Sequence, residues 1–205
     1  MLNETIRNLL EERYRIPVER LGLLSGFARC IAERSNADQP TALLFLCTHN
    51  SRRSHMAQLW TRAAVDHFGL KGITAYSGGT EATSFHPSAV RALTEQGFRI
   101  TKLEDSANSV HGVAVSEGGA VERSFSKIHD HPVNPTHDFI AVMTCSSADQ
   151  ACPVVAGSAA RFALLYDDPK VFDGTAAEAA AYQERSRQIG REMLSVFQDV
   201  AEATS

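Results

Sequence analysis

Residues 41–68 read TALLFLCTHNSRRSHMAQLWTRAAVDHF, and this segment determines the architecture of the chain. Its first part, TALLFL (41–46), is continuously apolar, which is typical of a strand buried on both faces of a sheet. A polar loop follows, and a helix is then predicted from about Ser54 until Gly69 ends it. The apolar residues of that helix share one stripe: Met56, Leu59, Ala63 and Phe68. The segment therefore predicts a buried strand, a loop and an amphipathic helix.

Strands and helices continue to alternate along the rest of the chain. The further apolar runs that predict strands are Ile73–Tyr76, Phe139–Thr144 and Arg161–Tyr166. Helices are predicted from Pro87 to Gly97 and from about Thr175 to Val200, because apolar residues recur there with helical spacing. Four buried strands that alternate with helices indicate an α/β fold, in which helices cover both faces of a parallel sheet.

Two segments lie outside this alternation. Residues 1–38 predict two helices, the second with Val18 on its apolar side, and they form an N-terminal helical extension. We expect this extension either to pack against the sheet domain or to form a homodimer contact. Residues 39–205 form the main domain, whose insertion at residues 104–138 is predicted to contain a hairpin that turns at Gly118-Gly119.

The composition excludes several classes of protein. The 205 residues are 43% hydrophobic and 21% charged with a formal net charge of −4, so there is enough apolar material for a core. A mildly acidic chain is a poor candidate for nucleic-acid binding, and its apolar runs are too short to span a bilayer. Residues 1–30 do not resemble a signal peptide, which favours a reducing cytoplasm. The four cysteines are then expected to be catalytic, redox-active or core residues rather than structural disulfides.

The loop after the first strand reads CTHNSRRS (47–54), with five residues between Cys47 and Arg53. A loop between a strand end and a helix N-terminus directs several backbone N–H groups into one concavity. Such a concavity holds a tetrahedral oxyanion and favours thiolate over thiol. Arg53 can contact two oxygens of the anion through its planar guanidinium. Ser54 can donate a hydrogen bond to the Cys47 sulfur, which makes that sulfur a better leaving group.

The predicted oxyanion-binding loop consists of Thr48, His49, Asn50, Ser51, Arg52, Arg53 and Ser54. Asn50 is expected to stabilise strained turn geometry, because a short amide side chain supports such turns. Arg52 supplies a second cation that strengthens anion capture, and His49 either tunes Cys47 or occupies a variable position. No metal site is predicted, because the histidines of the insertion fit no ligand spacing. These are expected to lie in a solvated loop: His129, His131 and His137.

A pair of acidic residues follows the fourth predicted strand in the sequence YDDP (166–169). Asp168 lies at the carboxyl edge of the sheet, where Cys47 also lies, and a carboxylic acid there can give a proton to a leaving oxygen. Asp167 is the alternative acid. A plain turn is the other interpretation, because Asp-Pro often begins a turn.

The segment LFLCTHNSRRSHMAQLW (44–60) resembles the phosphate-binding loop of the low-molecular-weight protein tyrosine phosphatase superfamily, which includes the thioredoxin-coupled arsenate reductases. Further segments are similar to the family: YSGGTEA (76–82), HPSAVRALTEQGFRI (86–100), TCSSADQACPV (144–154) and YDDPKVFDGT (166–175). The resemblance covers most of residues 41–200. It implies a four-stranded parallel sheet of order 2-1-3-4, with Cys47 as nucleophile, Arg53 as anion binder and Asp168 as general acid.

The arsenate reductase branch implies a relay of three cysteines, and Cys145 and Cys152 stand in the matching segment before Pro153. In the implied strand order Cys47 and Cys145 end neighbouring strands about 4.8 Å apart, within reach of a disulfide after a small movement. Cys152 then attacks that disulfide and leaves a Cys145–Cys152 pair for an external thiol reductant such as thioredoxin, with no tightly bound cofactor. The alternative is that Cys145 is a buried small hydrophobe and Cys152 is incidental.

Three functions are therefore open. The relay cysteines favour an arsenate reductase. The second function is a low-molecular-weight phosphatase that acts on phosphotyrosine or a small phosphoester. Lys170-Val171 argues against phosphotyrosine, because phosphatases of the family usually place aromatic residues after the Asp-Pro. The third is a non-catalytic protein that binds an oxyanion or a partner.

Overall fold

The computed structural model describes residues 1–116, 118–152 and 154–204. Its strands are β1 (Thr41–Cys47), β2 (Ile73–Gly79), β3 (Arg99–Glu104), β4 (Val110–Ala114), β5 (Glu122–Ser124), β6 (Phe139–Met143) and β7 (Ser158–Ala163). Its α-helices are α1 (Leu2–Glu11), α2 (Val18–Asn36), α3 (Arg53–His67), α4 (Pro87–Glu95), α5 (Ser146–Ala151) and α6 (Glu178–Ala203). None of the helices within the described ranges has both the length and the apolar character that a bilayer crossing requires.

The central sheet contains four parallel strands in the order β2-β1-β6-β7. This is the predicted order 2-1-3-4, so the α/β fold class is confirmed. Residues 43–47 of β1 are buried, because the strand lies between two neighbours and under helices. Cys47 is level with Gly79 of β2, and Leu46 with Met143 of β6. The carboxyl ends of three strands therefore meet at one edge, where α/β proteins place their functional groups.

Two strand boundaries differ from the prediction. The sequence predicts a strand at Arg161–Tyr166, whereas β7 spans Ser158–Ala163. Its register follows β6, and the last residues of the two strands, Met143 and Ala163, lie opposite each other. Backbone hydrogen bonds continue beyond this point, from Leu164 N to Met143 O at 2.9 Å and from Tyr166 N to Thr144 O at 3.1 Å, and both residues are buried, at 1% and 4% exposed. The early end of β6 also leaves Cys145 outside the strand, where it caps the N-terminus of α5.

The predicted hairpin is present and belongs to a second sheet, which is antiparallel and has the order β3-β4-β5. β4 and β5 are the arms of the hairpin, and Gly118 between them has a φ of 74°, which favours glycine. β3 pairs with the other side of β4, and its first residue, Arg99, is in register with Ala114. The three-stranded sheet therefore begins five residues before residue 104, the predicted start of the insertion. Gly79 and Ile128 form a bridge from β2 to the segment after this sheet.

Both predicted N-terminal helices form, and α1 and α2 pack against α6. Their buried apolar residues are Leu2, Ile6, Leu9, Leu24, Phe27, Ala28, Ile31 and Ala32. Val18 was expected among them but is 80% exposed. It precedes Leu24 by six residues and therefore lies about 120° away from the buried stripe of α2. The extension thus packs within the chain, and a homodimer contact stays a prediction.

Trp60 fixes α3 on α6 in the middle of the core. Its ring is fully buried and meets Phe98 edge to face, with centroids 4.9 Å apart. Its Nε1 donates a hydrogen bond to Ser186 Oγ at 3.0 Å. Gly190 of α6 makes room for the ring, because a Cβ at that position would lie 2.7 Å from Trp60 Cε2. The helix that follows the cysteine loop is therefore closely packed against α6.

Candidate active site

The loop 47–54 runs from the end of β1 to the start of α3, and several of its carbonyl oxygens accept hydrogen bonds from groups outside the loop. Thr48 O accepts a hydrogen bond from Glu81 N at 2.8 Å. His49 O accepts one from Ser126 Oγ at 2.9 Å. Because the C=O and N–H of a trans peptide point in opposite directions, the N–H groups that follow these carbonyls face the inside of the loop. No side chain caps the N-terminus of α3 in the described structure, so its first N–H groups are also left for an anion.

The backbone of the loop is tightly constrained. Asn50 has a φ of 43°, a left-handed conformation that asparagine tolerates better than most residues. Gly79 of β2 lies against the loop, and a Cβ there would lie 2.6 Å from Thr48 O and 2.7 Å from Asn50 N. Ser51 O accepts a hydrogen bond from His86 N at 2.9 Å, which ties the loop to the start of α4. The curve of the loop therefore depends on the absence of a side chain at Gly79.

A chain of hydrogen bonds leads to the sulfur of Cys47. Lys127 N donates to Asn50 Oδ1 at 2.9 Å, and Asn50 Nδ2 donates to Ser54 Oγ at 2.9 Å. The Ser54 hydroxyl then has its proton left for Cys47 Sγ, which lies 3.1 Å away. Cys47 is only 3% exposed. A thiolate there can accept from Ser54, which is the contact that the sequence predicts.

Arg53 lies between the loop and the segment after β7. Its Nη1 donates to Tyr166 O at 2.9 Å, and its Nη2 donates to Asp168 Oδ2 at 2.5 Å. Asp167, in contrast, has a side chain that is 96% exposed and lies 3.4 Å from Arg185. The structure therefore brings Asp168, rather than Asp167, to the guanidinium that is expected to hold the substrate anion. A carboxyl group at this place is well positioned to protonate a leaving oxygen.

Two further polar side chains of the loop, Arg52 and His49, have partners outside it. Arg52 donates to Tyr182 Oη at 2.6 Å and to Asp173 Oδ2 at 3.0 Å. Burial raises the pKa of Tyr182, which is therefore a neutral donor to Asp173 at 2.7 Å. These contacts favour a role for Arg52 in tying the loop to α6 over the predicted role as a second anion-binding cation. His49 is half-exposed, and its Nε2 lies 3.7 Å from Glu81 Oε2.

The three cysteines of the predicted relay lie in one region. Cys47 and Cys145 are buried in a single apolar cluster, and the half-buried Cys152 packs against it. Cys145 is 1% exposed, and its Sγ lies 3.5 Å from Thr48 Oγ1 of the loop. All three are free thiols. Pro153 lies outside the described residues.

Sequence reasoning missed the groups that hold the loop from the segment after β5. Ser126 and Lys127 reach His49 and Asn50 across 77 residues. No motif marks them, because Lys127 uses only its backbone N–H and Ser126 an ordinary hydroxyl. Tyr166 escaped notice for the same reason, since its backbone carbonyl is the acceptor for Arg53. A one-dimensional pattern carries no signal for such contacts.

His55 gives a test of the packing behind the loop. It is fully buried, and its ring stacks on Phe85 with centroids 4.1 Å apart. Burial, and secondarily the charge of Lys127, lower the pKa of His55 well below its usual range. The unfolded chain binds a proton below about pH 6.5 that the folded chain does not, so stability falls as the pH falls below that value.

We expect His55→Phe, which keeps the stacking, to reduce this acid slope by about 1.4 kcal/mol per pH unit below pH 6.5. Urea unfolding followed by circular dichroism between about pH 5 and pH 7.5 measures the slope. The exposed His67 supplies the matched control His67→Phe, which should leave the slope unchanged. Equal slopes in the wild type and His55→Phe would show that His55 is not the group responsible.

Comparisons with known proteins show which family this chain resembles. The profile of the family described as low molecular weight phosphotyrosine protein phosphatase matches residues 42–112. An arsenate reductase from Bacillus licheniformis is 29% identical over 160 residues, which cover 78% of this chain and 96% of that protein. An arsenate reductase from Bacillus cereus is 30% identical over 127 residues, which cover 62% of this chain and 75% of that protein.

Solved structures share the fold. A YwlE mutant from Bacillus subtilis superposes with a TM-score of 0.51 at 17% identity, over 77% of this chain and 97% of that chain. A low molecular weight phosphotyrosine phosphatase from Vibrio cholerae gives 0.50 at 15% identity, over 78% and 95%. The profile match includes nearly all of β1, the whole cysteine loop and α3. The chain therefore belongs to the low molecular weight phosphotyrosine protein phosphatase family.

Proposed function

We propose that this protein is an arsenate reductase in which Cys47 attacks a bound arsenate and two further cysteines complete the reduction. The observation that carries the proposal is the position of Cys145, whose Sγ lies 3.5 Å from Thr48 Oγ1 in the loop. Phosphate ester hydrolysis needs no second thiol at this place, whereas the reduction of arsenic(V) does. The arsenate reductases among the relatives support the same function.

The first step is binding and attack. Arsenate is held by the inward N–H groups of the loop and by Arg53, which exchanges its contact with Asp168 for the anion. The Cys47 thiolate then attacks arsenic, so that a sulfur–arsenic bond forms and an arsenic–oxygen bond breaks. Asp168 gives its proton to the departing oxygen, which leaves as water. Arsenic is still in the +5 state in the resulting adduct.

The second step transfers the electrons. The Cys145 thiolate attacks Cys47 Sγ, and a disulfide forms as the sulfur–arsenic bond breaks with its electron pair left on arsenic. Arsenic departs as arsenite, reduced by two electrons, and the two thiols are oxidised. Cys152 next attacks Cys145 and releases Cys47 as a thiolate. The Ser54 hydroxyl, 3.1 Å from Cys47 Sγ, stabilises that leaving thiolate.

The final disulfide requires α5 to unwind. Cys145 caps its N-terminus by accepting a hydrogen bond from Ala148 N at 3.4 Å, and Cys152 follows its last residue. Seven helical residues span roughly 10 Å, whereas the Cα atoms of a disulfide lie about 4.4–6.8 Å apart. A helix of 6 residues has little stability of its own, so it can open at small cost. The opened segment presents the disulfide to an external thiol reductant of the thioredoxin type in a reducing cytoplasm.

A second candidate function is hydrolysis of an aryl phosphate. It is favoured by the exposed apolar side chains close to the general acid: Val171 is 76% exposed and Phe172 is 43% exposed. Phe172 partly supplies the aromatic group that Lys170-Val171 lacks, and it could contact an aryl ring above the loop. In this case Cys47 forms a phosphoenzyme that water hydrolyses, and the other cysteines have no catalytic role.

Cys145→Ser separates the two candidate functions. We expect this variant to lose thioredoxin-coupled arsenite release while it keeps slow hydrolysis of an aryl phosphate, because only the first reaction needs the second thiol. Cys152→Ser should release arsenite in a single turnover and stop with Cys47 and Cys145 joined. Mass spectrometry of the trapped disulfide identifies that state.

Cys30→Ser is the matched control, because Cys30 is a half-buried free thiol on α2, outside the cluster of the three relay cysteines. It should retain both activities. Arsenate reduction at the wild-type rate by Cys145→Ser would refute the relay. Fast aryl phosphate turnover without arsenate reduction in the wild type would favour the phosphatase instead.

A further inference from the structure

A cavity of about 510 Å³ lies between α3, β2 and the three-stranded sheet. None of residues 47–54 lines it, so it is distinct from the cysteine loop. One part of its wall is apolar and includes Val65, Leu70, Ile73 and Val115. The other part is charged, with three cations and two carboxylates: Arg62, Arg123, Lys127, Asp66 and Glu122. Its size and its division into an apolar and a charged part suit a small organic molecule.

Lys127 is the unusual group in this wall. The residue is only 5% exposed, and no hydrogen bond or ion pair of its Nζ is found among the described residues. Its Nζ lies over the face of the Phe125 ring, 5.1 Å from the ring centroid. Burial lowers the pKa of Lys127 to about 8. A buried amine without a counter-ion is costly in its charged form, and an anion in the cavity would remove that cost.

The other charged groups of the wall do not neutralise Lys127. Arg62 Nη2 and Glu122 Oε1 form an ion pair at 2.9 Å, and Arg123 pairs with Glu104. Glu122 and Glu104 are therefore already engaged by arginines. Asp66, the other carboxylate of the wall, is exposed, and no ion pair between it and Lys127 is found among the described residues. Arg62 Nη1 is buried without a hydrogen-bond partner in the described part of the chain. With three cations against two carboxylates, the wall has a net positive charge, and Arg62 Nη1 is a further donor without an acceptor.

We propose that this cavity binds a small organic acid, with its anionic group on Lys127 and its apolar body against the side chains of α3 and β2. The ligand class follows from the wall: a cation without a counter-ion selects an oxyanion group, and the aliphatic side chains select an uncharged remainder. This binding site does not depend on the reaction at Cys47.

The position of Lys127 also connects the cavity to the loop. Its backbone N–H donates to Asn50 Oδ1 at 2.9 Å, and its carbonyl accepts from Gly79 N at 2.9 Å. Asn50 holds Ser54, and Ser54 contacts the Cys47 sulfur. A ligand that fixes the Lys127 side chain therefore acts on the residue whose backbone supports the loop, which gives the cavity a route to regulate the enzyme.

Competitive acetylation with trace acetic anhydride tests the proposal on the wild-type protein, read out by peptide mass spectrometry. The chain has four lysines, and the exposed Lys71, Lys102 and Lys170 are internal controls. Benzoate is the carboxylate probe, phenylphosphonate the phosphorus probe and benzamide the uncharged isostere. At pH 7 we expect saturating benzoate to slow acetylation of Lys127 about tenfold, as a one-unit rise in its pKa would. The control lysines and the benzamide sample should show no change.

Two variants locate the site. Protection of Lys127 by benzoate should persist in Arg53→Ala, because the cysteine loop is not involved. Benzoate should raise the midpoint of thermal unfolding of the wild-type protein, and it should not do so in Lys127→Met. Protection by phenylphosphonate alone would assign the cavity to phosphate-bearing ligands. Equal protection of Lys102, protection that disappears in Arg53→Ala, or no protection by either anion would overturn the proposal. The acetylation experiment on the wild-type chain tests binding at Lys127 even if Lys127→Met does not fold.

Discussion

Replacing Arg53 by lysine should lower kcat/KM for arsenate and for an aryl phosphate by about 100- to 1000-fold. Arg53 uses both ends of its guanidinium, donating to Tyr166 O at 2.9 Å and to Asp168 Oδ2 at 2.5 Å. A lysine ammonium is a point charge and cannot keep the carbonyl contact while it forks two oxygens of an anion. Steady-state kinetics with both substrates measure the loss.

Arg52→Lys is the informative comparison, because Arg52 is the adjacent arginine but is held by Tyr182 and Asp173. We expect it to lose less than about tenfold in kcat/KM, since its guanidinium ties the loop to α6 rather than forking the anion. An Arg53→Lys enzyme with near wild-type kcat/KM would refute the role given to Arg53. Larger losses for Arg52→Lys than for Arg53→Lys would exchange the roles of the two residues.

The second large effect is expected on stability. Arg20 of the N-terminal extension donates to Glu192 Oε2 at 2.9 Å and 2.7 Å, and Tyr166 Oη donates to the same oxygen at 2.8 Å. Glu192 is 2% exposed. Arg20→Met should therefore lower the free energy of unfolding by about 3–5 kcal/mol, because it leaves a buried carboxylate without its cation. Urea unfolding followed by circular dichroism measures the loss.

The double variant Arg20→Met/Glu192→Gln should recover part of this loss, because no uncompensated charge is then left buried. Arg13→Met is the surface control. Arg13 pairs with Asp199 where both side chains are partly exposed, at 36% and 26%, so its loss should stay below about 1 kcal/mol. Equal losses for Arg20→Met and Arg13→Met would mean that the buried triad contributes no more than a surface pair.

Arg20→Met should also raise KM for arsenate. Tyr166 contacts the triad through its hydroxyl, and its carbonyl oxygen accepts a hydrogen bond from Arg53.

The sequence allowed the central architecture to be predicted because burial leaves a strong signal there. β1 is apolar on both faces, and α3 carries its apolar residues on one stripe, so strand, loop and helix were found close to their true bounds. β7 was placed three residues late, because no residue of β7 itself is fully buried, whereas Leu164 and Tyr166, just after it, are. β3 was missed, since most of it is exposed and its polar sequence has no alternating pattern.

Some residues of the candidate site could likewise be predicted from the sequence, and others could not. Side chains that lie near each other in sequence, such as Cys47, Arg53 and Ser54, could be assigned from their spacing in one loop. Asp168 followed from the resemblance and from its place at a strand end. The groups that shape the loop could not be predicted, because Lys127 contributes a backbone N–H from 77 residues away. Contacts through the main chain depend on tertiary structure and leave no trace in residue type.

Trp60 has a practical consequence for the experiments above. It is the single tryptophan of the chain, it is fully buried, and its indole N–H is bonded to Ser186 at the junction of α3 and α6. Its fluorescence emission should be blue-shifted in the native protein and should move to the red when α3 leaves α6. The enzyme therefore carries an intrinsic optical probe in the helix that supports its cysteine loop, and unfolding can be followed without a dye.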